Sequence, residues 1–216
     1  MSETLDYLPT FLQGAAVTLG VSVPGFLLGL VFGFFLLICQ RSPFKLIYWL
    51  SGIYISFVRG TPILVQIFFV YYALPGLLGI DLPPFTAGFL TLSLNSGAFV
   101  AEILRGGLAD LPKGQWEAAN ALGMSRYTIW TRVIIPQLFV RTLPPLTNEF
   151  TLLLKASPLL SVITVVELTR AAQVVMLQTY LPIEAYLFAG FIYFCMLSLM
   201  SYATRRLEVW SERGRA

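Results

Sequence analysis

The chain has 216 residues, a length that suits one domain, but its composition is not that of a soluble protein. Hydrophobic residues make up 57% and charged residues 12%, about half the ~25% charge of ordinary globular proteins. The formal net charge of +3 is too small to indicate a nucleic-acid partner. Histidine is absent, which excludes His-based catalytic triads, HExxH zinc sites and a histidine proton switch.

The few charged residues are spaced like the ends of membrane-spanning helices. Uncharged stretches of 34, 21, 20 and 20 residues separate Asp6 from Arg41, Arg59 from Asp81, Asp81 from Glu102, and Glu184 from Arg205. An α-helix needs about 20 apolar residues to cross a hydrocarbon core of ~30 Å. This pattern predicts spans at about 15–38, 60–79, 83–103 and 185–204.

One more span, the fourth in chain order, is predicted over residues 137–166, so that the span at 185–204 is the fifth. This stretch is apolar but carries Arg141, Glu149, Lys155 and several prolines. Broken helices with ionisable groups persist in membranes where they face protein or a water-filled cavity. We therefore expect a kinked span at the inner surface of the bundle. The predicted fold class is an all-α, polytopic transmembrane helix bundle of about five spans, forming one domain over residues 1–216.

The basic residues predict the orientation of this bundle. Eleven of the fourteen fall in the connections that follow the first, third and fifth spans, namely Arg41, Lys45, Arg105, Lys113, Arg126, Arg132, Arg141, Arg205, Arg206, Arg213 and Arg215. Cytoplasmic connections carry the excess of Lys and Arg in membrane proteins. We therefore expect the N-terminus outside and the C-terminus in the cytoplasm, on opposite faces as five spans require.

Two spans carry stripes of small residues, each repeating every four positions. The helix-packing candidates are Gly25, Gly29 and Gly33 in the first span, and Ser93, Gly97 and Ala101 in the third. Such stripes let a neighbouring helix approach closely, but they do not name the neighbour. Contact with a second copy or partner subunit and packing within this chain both remain open.

The cytoplasmic segment 105–136 is the longest connection, and connections this long usually have structure and a function. We expect two short helices in it. Asp110-Leu111-Pro112 opens the first and Gly123 closes it with a left-handed cap. Ser125 caps the second, which is expected to end before Pro136.

The same segment carries a spaced motif. Glu117-Ala118-Ala119, Gly123 and Val133-Ile134-Ile135-Pro136 together resemble the EAA signature of ABC-importer permeases, which ends in Ile-x-Leu-Pro. Further matching segments are Arg59-Gly60-Thr61-Pro62, Asn95-Ser96, Ala101-Glu102, Arg105, Lys113-Gly114-Gln115-Trp116-Glu117, and Glu167-Leu168 with Arg170. Across nearly the whole chain they resemble the glutamine, histidine, arginine and cystine permeases. Where that branch commonly has Asp or Asn, this chain has Ala156.

The resemblance implies a type I ABC-importer-like permease, a multi-pass protein of the bacterial inner membrane that imports a polar amino acid. It further implies two ATP-binding partner subunits, a second permease chain, identical or homologous, and an extracytoplasmic substrate-binding protein. ATP and Mg would be bound by the partner ATPase, and this chain would hold no cofactor. None of its three lysines follows a glycine, so it lacks the Gly-Lys pair of a phosphate-binding loop.

The residues expected to couple this chain to the ATPase are those of the motif: Glu117, Ala118, Ala119, Gly123 and Pro136. Alanines leave a slim helix that fits a groove on a soluble partner. Glu117 offers charge-assisted hydrogen bonds there, and Gly123 permits a sharp exit from the helix.

Four polar residues inside the spans are candidates for a substrate pathway: Asn95, Glu102, Glu149 and Lys155. Polar groups at membrane depth are functional hypotheses by default. Lys155 would suit the carboxylate of an amino acid, Glu149 or Glu102 its ammonium group, and Asn95 either one. The alternative is a structural role, for instance pairing with Arg59.

Two other classes of protein remain to be weighed. An assembly protein would use segment 105–136 only to dock a cytoplasmic partner. A secondary transporter usually has internal repeats, which we do not find here, and five spans divide badly into halves. Enzyme chemistry and a metal site are not predicted, because no catalytic Asp pair or cluster of metal ligands is present.

Overall fold

The computed structural model describes residues 6–213. Arg215, one of the basic residues counted above, lies outside that range. Between those limits the chain forms eight helices: α1 Leu8–Cys39, α2 Lys45–Gly60, α3 Ile63–Leu78, α4 Pro84–Ala109, α5 Lys113–Ala121, α6 Arg126–Ile163, α7 Leu168–Thr179 and α8 Pro182–Arg213. Helix α3 contains a π-helical turn at Phe69–Ala73. Helix α6 contains another at Ile129–Ile134 and ends in a 3₁₀ segment, Ser157–Ile163.

Three of these helices are each long and apolar enough to cross a membrane: α1, α4 and the part Pro182–Thr204 of α8. Two further pairs qualify when taken together, α2 with α3 and α6 with α7, although each pair is bent, by 111° and 48°. The described chain therefore has three to five spans by length and composition. The spans expected at 15–38, 83–103 and 185–204 fall on α1, α4 and α8.

The span expected at 60–79 needs a correction, because the helix does not begin at residue 60. Helix α2 already covers Lys45–Gly60, and the chain turns sharply before α3. Thr61 is extended, with φ −119° and ψ 145°, and Pro62 is extended as well. A residue before proline is disfavoured in the α region because the proline ring clashes with it. The Thr61-Pro62 pair therefore separates α3, which covers most of the predicted span, from α2, most of which lies outside any predicted span.

The boundary expected at Pro136 also needs a correction. Helix α6 runs through Pro136, so the second cytoplasmic helix and the span expected at 137–166 are one element. The π-helical turn Ile129–Ile134 ends one residue before Ile135-Pro136. A π-helical turn shifts the register of the backbone hydrogen bonds. Pro136, two residues after the turn, lacks an N–H group at a place where the regular hydrogen-bond ladder is already interrupted. The helix therefore continues instead of ending.

The two stripes of small residues pack against each other within this chain. A Cβ at Gly29 would lie 3.2 Å from the carbonyl oxygen of Ser93, and one at Gly33 would lie 2.8 Å from that of Gly97. Ala101 is fully buried beside Leu36 and the side chains of α2. Of the two neighbours that the sequence left open, the structure shows the one inside the chain.

Helix α7 is tied to both ends of the chain. The Leu168 N–H donates a hydrogen bond to Thr18 Oγ1 on α1 at 3.2 Å. Glu167 is fully buried and caps α7, because its carboxylate accepts from the backbone N–H groups of Thr169 and Arg170 at 2.9 and 2.7 Å. The Tyr193 hydroxyl of α8 donates to the same carboxylate at 2.7 Å. These contacts join α1, α7 and α8.

Candidate functional site

Helix α5 has the sharp exit that the sequence predicts. Gly123 is left-handed with φ +69°, and its N–H donates to Asn120 O at 3.0 Å. Met124 N–H donates to Ala119 O at 3.2 Å, which completes the usual glycine-terminated cap. Ser125 then caps the next helix, because its hydroxyl accepts from Thr128 N–H at 3.2 Å.

The start of α5 differs from the expectation. Pro112 is its N-terminal cap residue and makes no side-chain cap bond. Asp110 does not open α5 but ends α4, where its carbonyl accepts a hydrogen bond from the Arg141 guanidinium at 3.2 Å. The three residues from Asp110 to Pro112 therefore form the turn between α4 and α5. Pro112 can only cap the helix through its backbone, since its side chain offers no acceptor.

One face of α5 is open to solvent in this chain. Ala119, expected among the coupling residues, is instead buried against the bundle because its methyl group packs in the core, whereas Glu117, Ala118 and Ala121 are exposed. Leu122 and Tyr127, which flank the Gly123 turn, are 80% and 79% exposed. Pro136 is exposed further along α6. A slim helix with one carboxylate and two large uncovered apolar side chains beside it has the composition of a docking surface.

The opposite face of α5 is anchored to the membrane helices through aromatic rings. Trp116 meets Trp130 of α6 edge to face, with ring centroids 5.3 Å apart. The Arg41 guanidinium, directly after α1, lies over the Trp130 ring at 5.5 Å. Gln137 also donates to Gln115 Oε1 at 3.4 Å. Helix α5 is therefore in contact with α6, and through Trp130 with the end of α1.

A pocket of 230 Å³ opens at the surface of the bundle, between α4 and α6, and contains two of the four predicted pathway residues. Asn95 of α4 and Glu149 of α6 both line it, together with Thr61 at the bend between α2 and α3, and with Ile63, Phe99, Leu152, Leu153 and Ala156. Glu149 is only 6% exposed. The pocket thus places one carboxylate and one amide among apolar walls, as small-molecule sites commonly do.

Gln66 of α3 holds the Asn95 side chain in place, and sequence reasoning did not single it out. Its Oε1 accepts from Asn95 Nδ2 at 3.0 Å. Its Nε2 donates to Val58 O at 2.8 Å and to Thr61 Oγ1 at 2.9 Å, across the bend. The available signal was a lone glutamine in an otherwise apolar stretch, which is costly at membrane depth unless it has partners.

Ser96 provides a further polar group close to the buried carboxylate. Its hydroxyl lies near the Glu149 carboxylate, but within residues 6–213 the Ser96 Oγ has no partner at hydrogen-bond geometry. Buried polar atoms without a partner are rare in folded proteins. The arrangement therefore leaves hydrogen-bonding capacity beside the pocket. No group of three His, Cys, Asp or Glu residues in the described range is placed to hold a metal ion.

The other two predicted pathway residues lie elsewhere. Glu102 binds Arg105 on the same helix, with Nε to Oε2 at 2.9 Å, and Arg59 of α2 at 3.6 Å. Arg59 also lies over the Phe99 ring at 5.6 Å. The pairing with Arg59 is the structural alternative that the sequence left open. Lys155 is exposed on α6 and is not among the residues that line the pocket.

Comparison with known protein families gives one match over most of the chain. Residues 25–214 match the family described as binding-protein-dependent transport system inner membrane component.

Three characterised or assigned proteins are similar to this chain over nearly its full length. The arginine transport system permease protein ArtQ of Bacillus subtilis is 36% identical over 207 residues, which is 96% of this chain and 94% of that protein. The putative glutamine transport system permease protein GlnP of Rickettsia bellii is 37% identical over 196 residues, or 91% and 90%. The L-cystine transport system permease protein TcyB of Bacillus subtilis is 34% identical over 204 residues, or 94% and 87%.

Solved structures match the fold as a whole. The crystal structure of an amino acid ABC transporter with histidines superposes with a TM-score of 0.90 at 38% identity and covers 95% of both chains. An inward-facing structure of the MetNI methionine ABC transporter gives a TM-score of 0.74 at 18% identity, covering 98% of this chain and 99% of that one. The second match shows the fold alone.

Proposed function

This chain belongs to the inner membrane components of binding-protein-dependent transport systems, and from that premise we propose that it imports a polar amino acid as the permease subunit of an ATP-driven importer. Two predictions are confirmed: the resemblance to ABC-importer permeases that the EAA segment indicates, and the type I permease fold. Relatives named for arginine, glutamine and cystine transport support a polar amino acid as cargo. The family description disfavours the assembly-protein and secondary-transporter alternatives.

The pocket that joins Asn95 to Glu149 is the observation that carries this proposal. A buried carboxylate recognises the ammonium group of an amino acid or a cationic side chain through charge-assisted hydrogen bonds. Asn95, oriented by Gln66, supplies a second polar contact. The apolar side chains beside these groups lower the local dielectric constant, which strengthens both interactions. Two polar groups from different helices thus converge on one space of molecular size.

The exposed Lys155 side chain is the proposed contact for the carboxylate of the substrate. An exposed lysine within a membrane-spanning helix is costly unless protein or water covers it. A second permease chain, identical or homologous, would cover that surface and leave Lys155 facing the path between the two chains. There it would meet the carboxylate of the substrate. Glu102, held between two arginines, serves in this account as a brace between α2 and α4 rather than as a substrate contact.

The energy for transport comes from partner chains in this proposal. Two ATP-binding subunits, which hold ATP and Mg, grip the exposed face of α5 at Glu117, Ala118 and Ala121. This chain itself catalyses no reaction. The ring contacts from Trp116 to Trp130 and Arg41 transmit the movement of α5 to the spans. An extracytoplasmic substrate-binding protein delivers the amino acid at the opposite face.

We also propose the orientation, with the N-terminus outside and the C-terminus in the cytoplasm. The support is the distribution of basic residues, which follow α1 and surround α5. The turns between α3 and α4 and between α7 and α8 lie at the outer face in this arrangement. A cysteine placed in the outer turn beside Asp81 would react with an impermeant thiol reagent in intact cells, whereas one beside Lys113 would not. The reverse pattern would overturn the orientation.

The cargo is tested on the intact complex, purified with its partners and reconstituted in vesicles with its binding protein. Mass determination identifies the subunits, and ATP hydrolysis is measured with single amino acids, sugars and short peptides as candidates. We expect one or a few polar amino acids to stimulate hydrolysis and to accumulate in the vesicles. Stimulation by sugars or peptides alone would contradict the proposal.

A further inference from the structure

Two adjoining pockets lie where α1 ends, and their linings differ in character. The first, here called the apolar pocket, has a volume of 630 Å³, and its walls include Phe34, Ile38, Ile47 and Trp130. The second, here called the polar pocket, has a volume of 590 Å³ and is lined by Leu37, Gln40, Arg41, Tyr48 and Arg105. Both volumes fall in the range of small-molecule sites.

The pockets meet at two shared residues, Leu37 and Arg41, which line both of them. The apolar pocket lies between the end of α1, the start of α2 and the start of α6. The polar pocket lies beside α4, from which Arg105 reaches it. Together they form one amphipathic space, apolar on one side of Arg41 and hydrogen-bonding on the other.

The charge around this space is positive. Arg105 is paired with Glu102, and Arg59, which lines neither pocket, also lies 3.6 Å from that carboxylate. Arg41 adds a positive charge that forms no ion pair among residues 6–213, and its guanidinium lies over the Trp130 ring. Lys45 is exposed four residues further along. The polar pocket therefore suits an anion.

We propose that the joined pockets bind an anionic phospholipid of the cytoplasmic leaflet, with its phosphate at Arg41 in the polar pocket and an acyl chain in the apolar pocket. Basic pockets between transmembrane helices at the cytoplasmic side bind anionic lipid head groups. Tyr48 and Trp130 are the residue types enriched where a protein meets the membrane interface. A free phosphate ion would leave the apolar pocket empty, which favours a lipid.

The bound lipid has a consequence for coupling, and this step rests on the proposed function and orientation. Trp130 lines the apolar pocket and contacts Trp116 of the ATPase-docking helix. A lipid that fills the apolar pocket would pack against Trp130 and so support its edge-to-face contact with Trp116. Occupancy would therefore hold α5 in a fixed position relative to α1.

The test measures lipid binding to the full-length chain in detergent, so it does not depend on transport or on orientation. Phosphatidylglycerol and phosphatidylcholine with identical acyl chains are titrated, and bound lipid is counted by native mass spectrometry. We expect tighter binding of phosphatidylglycerol. Arg41→Gln should weaken it about fivefold, the contribution of one basic residue near an anionic surface, and Arg41→Lys should restore part of the loss. Arg126→Gln, which removes an exposed charge outside both linings, should have no effect.

The acyl-chain half has its own variants. Ile47→Trp fills the apolar pocket without changing charge and should weaken both lipids, whereas Leu46→Trp, at a 70% exposed position outside the lining, should weaken neither. Equal affinity for the two lipids, equal losses in Arg41→Gln and Arg126→Gln, or displacement of phosphatidylglycerol by inorganic phosphate would each overturn the proposal. The proposal would also be overturned if Arg41→Gln changed the mass of the oligomer but not the amount of bound lipid. A second copy of the chain would then be the occupant of the pockets.

Discussion

Gly33 of α1 lies directly against Val100 of α4. A Cβ at residue 33 would stand 2.5 Å from Val100 Cγ1 and 2.8 Å from the carbonyl oxygen of Gly97. Real side chains do not approach so closely. The two helices can therefore pack at this distance only because residue 33 has no side chain. Close backbone approach of this kind is how small residues hold membrane helices together.

We expect Gly33→Ala to lower the free energy of unfolding by about 1–3 kcal/mol, because the added methyl group forces α1 and α4 apart. Gly20→Ala on the same helix is the matched control, since nothing lies within 4 Å of the position of its Cβ. Alanine there should be neutral or slightly stabilising, as it favours helix over glycine. Thermal unfolding in detergent measures both. Equal shifts in the two variants would contradict this packing.

The bond between Tyr193 and Glu167 should be an energetically coupled contact. Both residues are held by one network at the start of α7, and the carboxylate is fully buried. We expect Tyr193→Phe and Glu167→Gln to destabilise the protein, with a coupling energy of about 0.5–3 kcal/mol in a double-mutant cycle. Chemical or thermal unfolding of the four proteins gives this energy. Additive effects would show that the two residues do not depend on each other.

Glu102→Gln should affect stability more than transport. The substitution removes the charge that Arg59 and Arg105 share, but these side chains are partly exposed, so the cost should be only about 1 kcal/mol. The substrate concentration at half-maximal uptake should remain within about twofold of the original, because Glu102 does not line the pocket. A large rise in that concentration with unchanged stability would place Glu102 in the substrate pathway instead.

Glu117→Arg should uncouple ATP hydrolysis from uptake. The variant reverses the exposed charge on α5 and adds bulk to a slim helix, so the ATP-binding subunit should grip it less well. We expect uptake to fall at least tenfold, as loss of one charge-assisted hydrogen bond implies, while the chain remains inserted in the membrane. Arg126→Glu is the control: it reverses an exposed charge in the same segment, at a helix start that favours an acidic residue. Normal uptake by Glu117→Arg would remove the coupling mechanism.

Charge spacing predicts the apolar helices α1, α4 and α8, because an uncharged stretch of about 20 residues must find apolar surroundings. The boundaries depend on backbone detail that composition does not contain. Proline usually marks the end of a helix, and this holds at Pro62, which lies in the break between α2 and α3. At Pro136, by contrast, helix α6 continues through the proline. The difference is the π-helical turn before Pro136 and the extended Thr61 before Pro62. Neither is visible as a pattern of hydrophobicity.

The candidate site was predictable in its chemistry and not in its geometry. Asn95 and Glu149 stand out in the sequence because polar groups are costly at membrane depth. The same argument selects Glu102 and Lys155, and only the packing of α2 against α4 separates a paired carboxylate from one that faces a pocket. Gln66 carries the same kind of signal as Asn95, but its partners lie across the bend at Thr61-Pro62, which the hydrophobic pattern does not show.

The central claim is that the pocket of Asn95 and Glu149 passes the substrate. The most direct measurement is uptake of the stimulating amino acid by the reconstituted complex carrying Glu149→Gln, beside Asp81→Asn, which neutralises an exposed carboxylate away from the pocket. A hydrogen bond to a charged group is worth about 1.5–3 kcal/mol, so we expect uptake at low substrate concentration to fall roughly 10- to 100-fold in Glu149→Gln. Asp81→Asn should transport normally. Unchanged transport by a folded, correctly assembled Glu149→Gln complex would contradict the account.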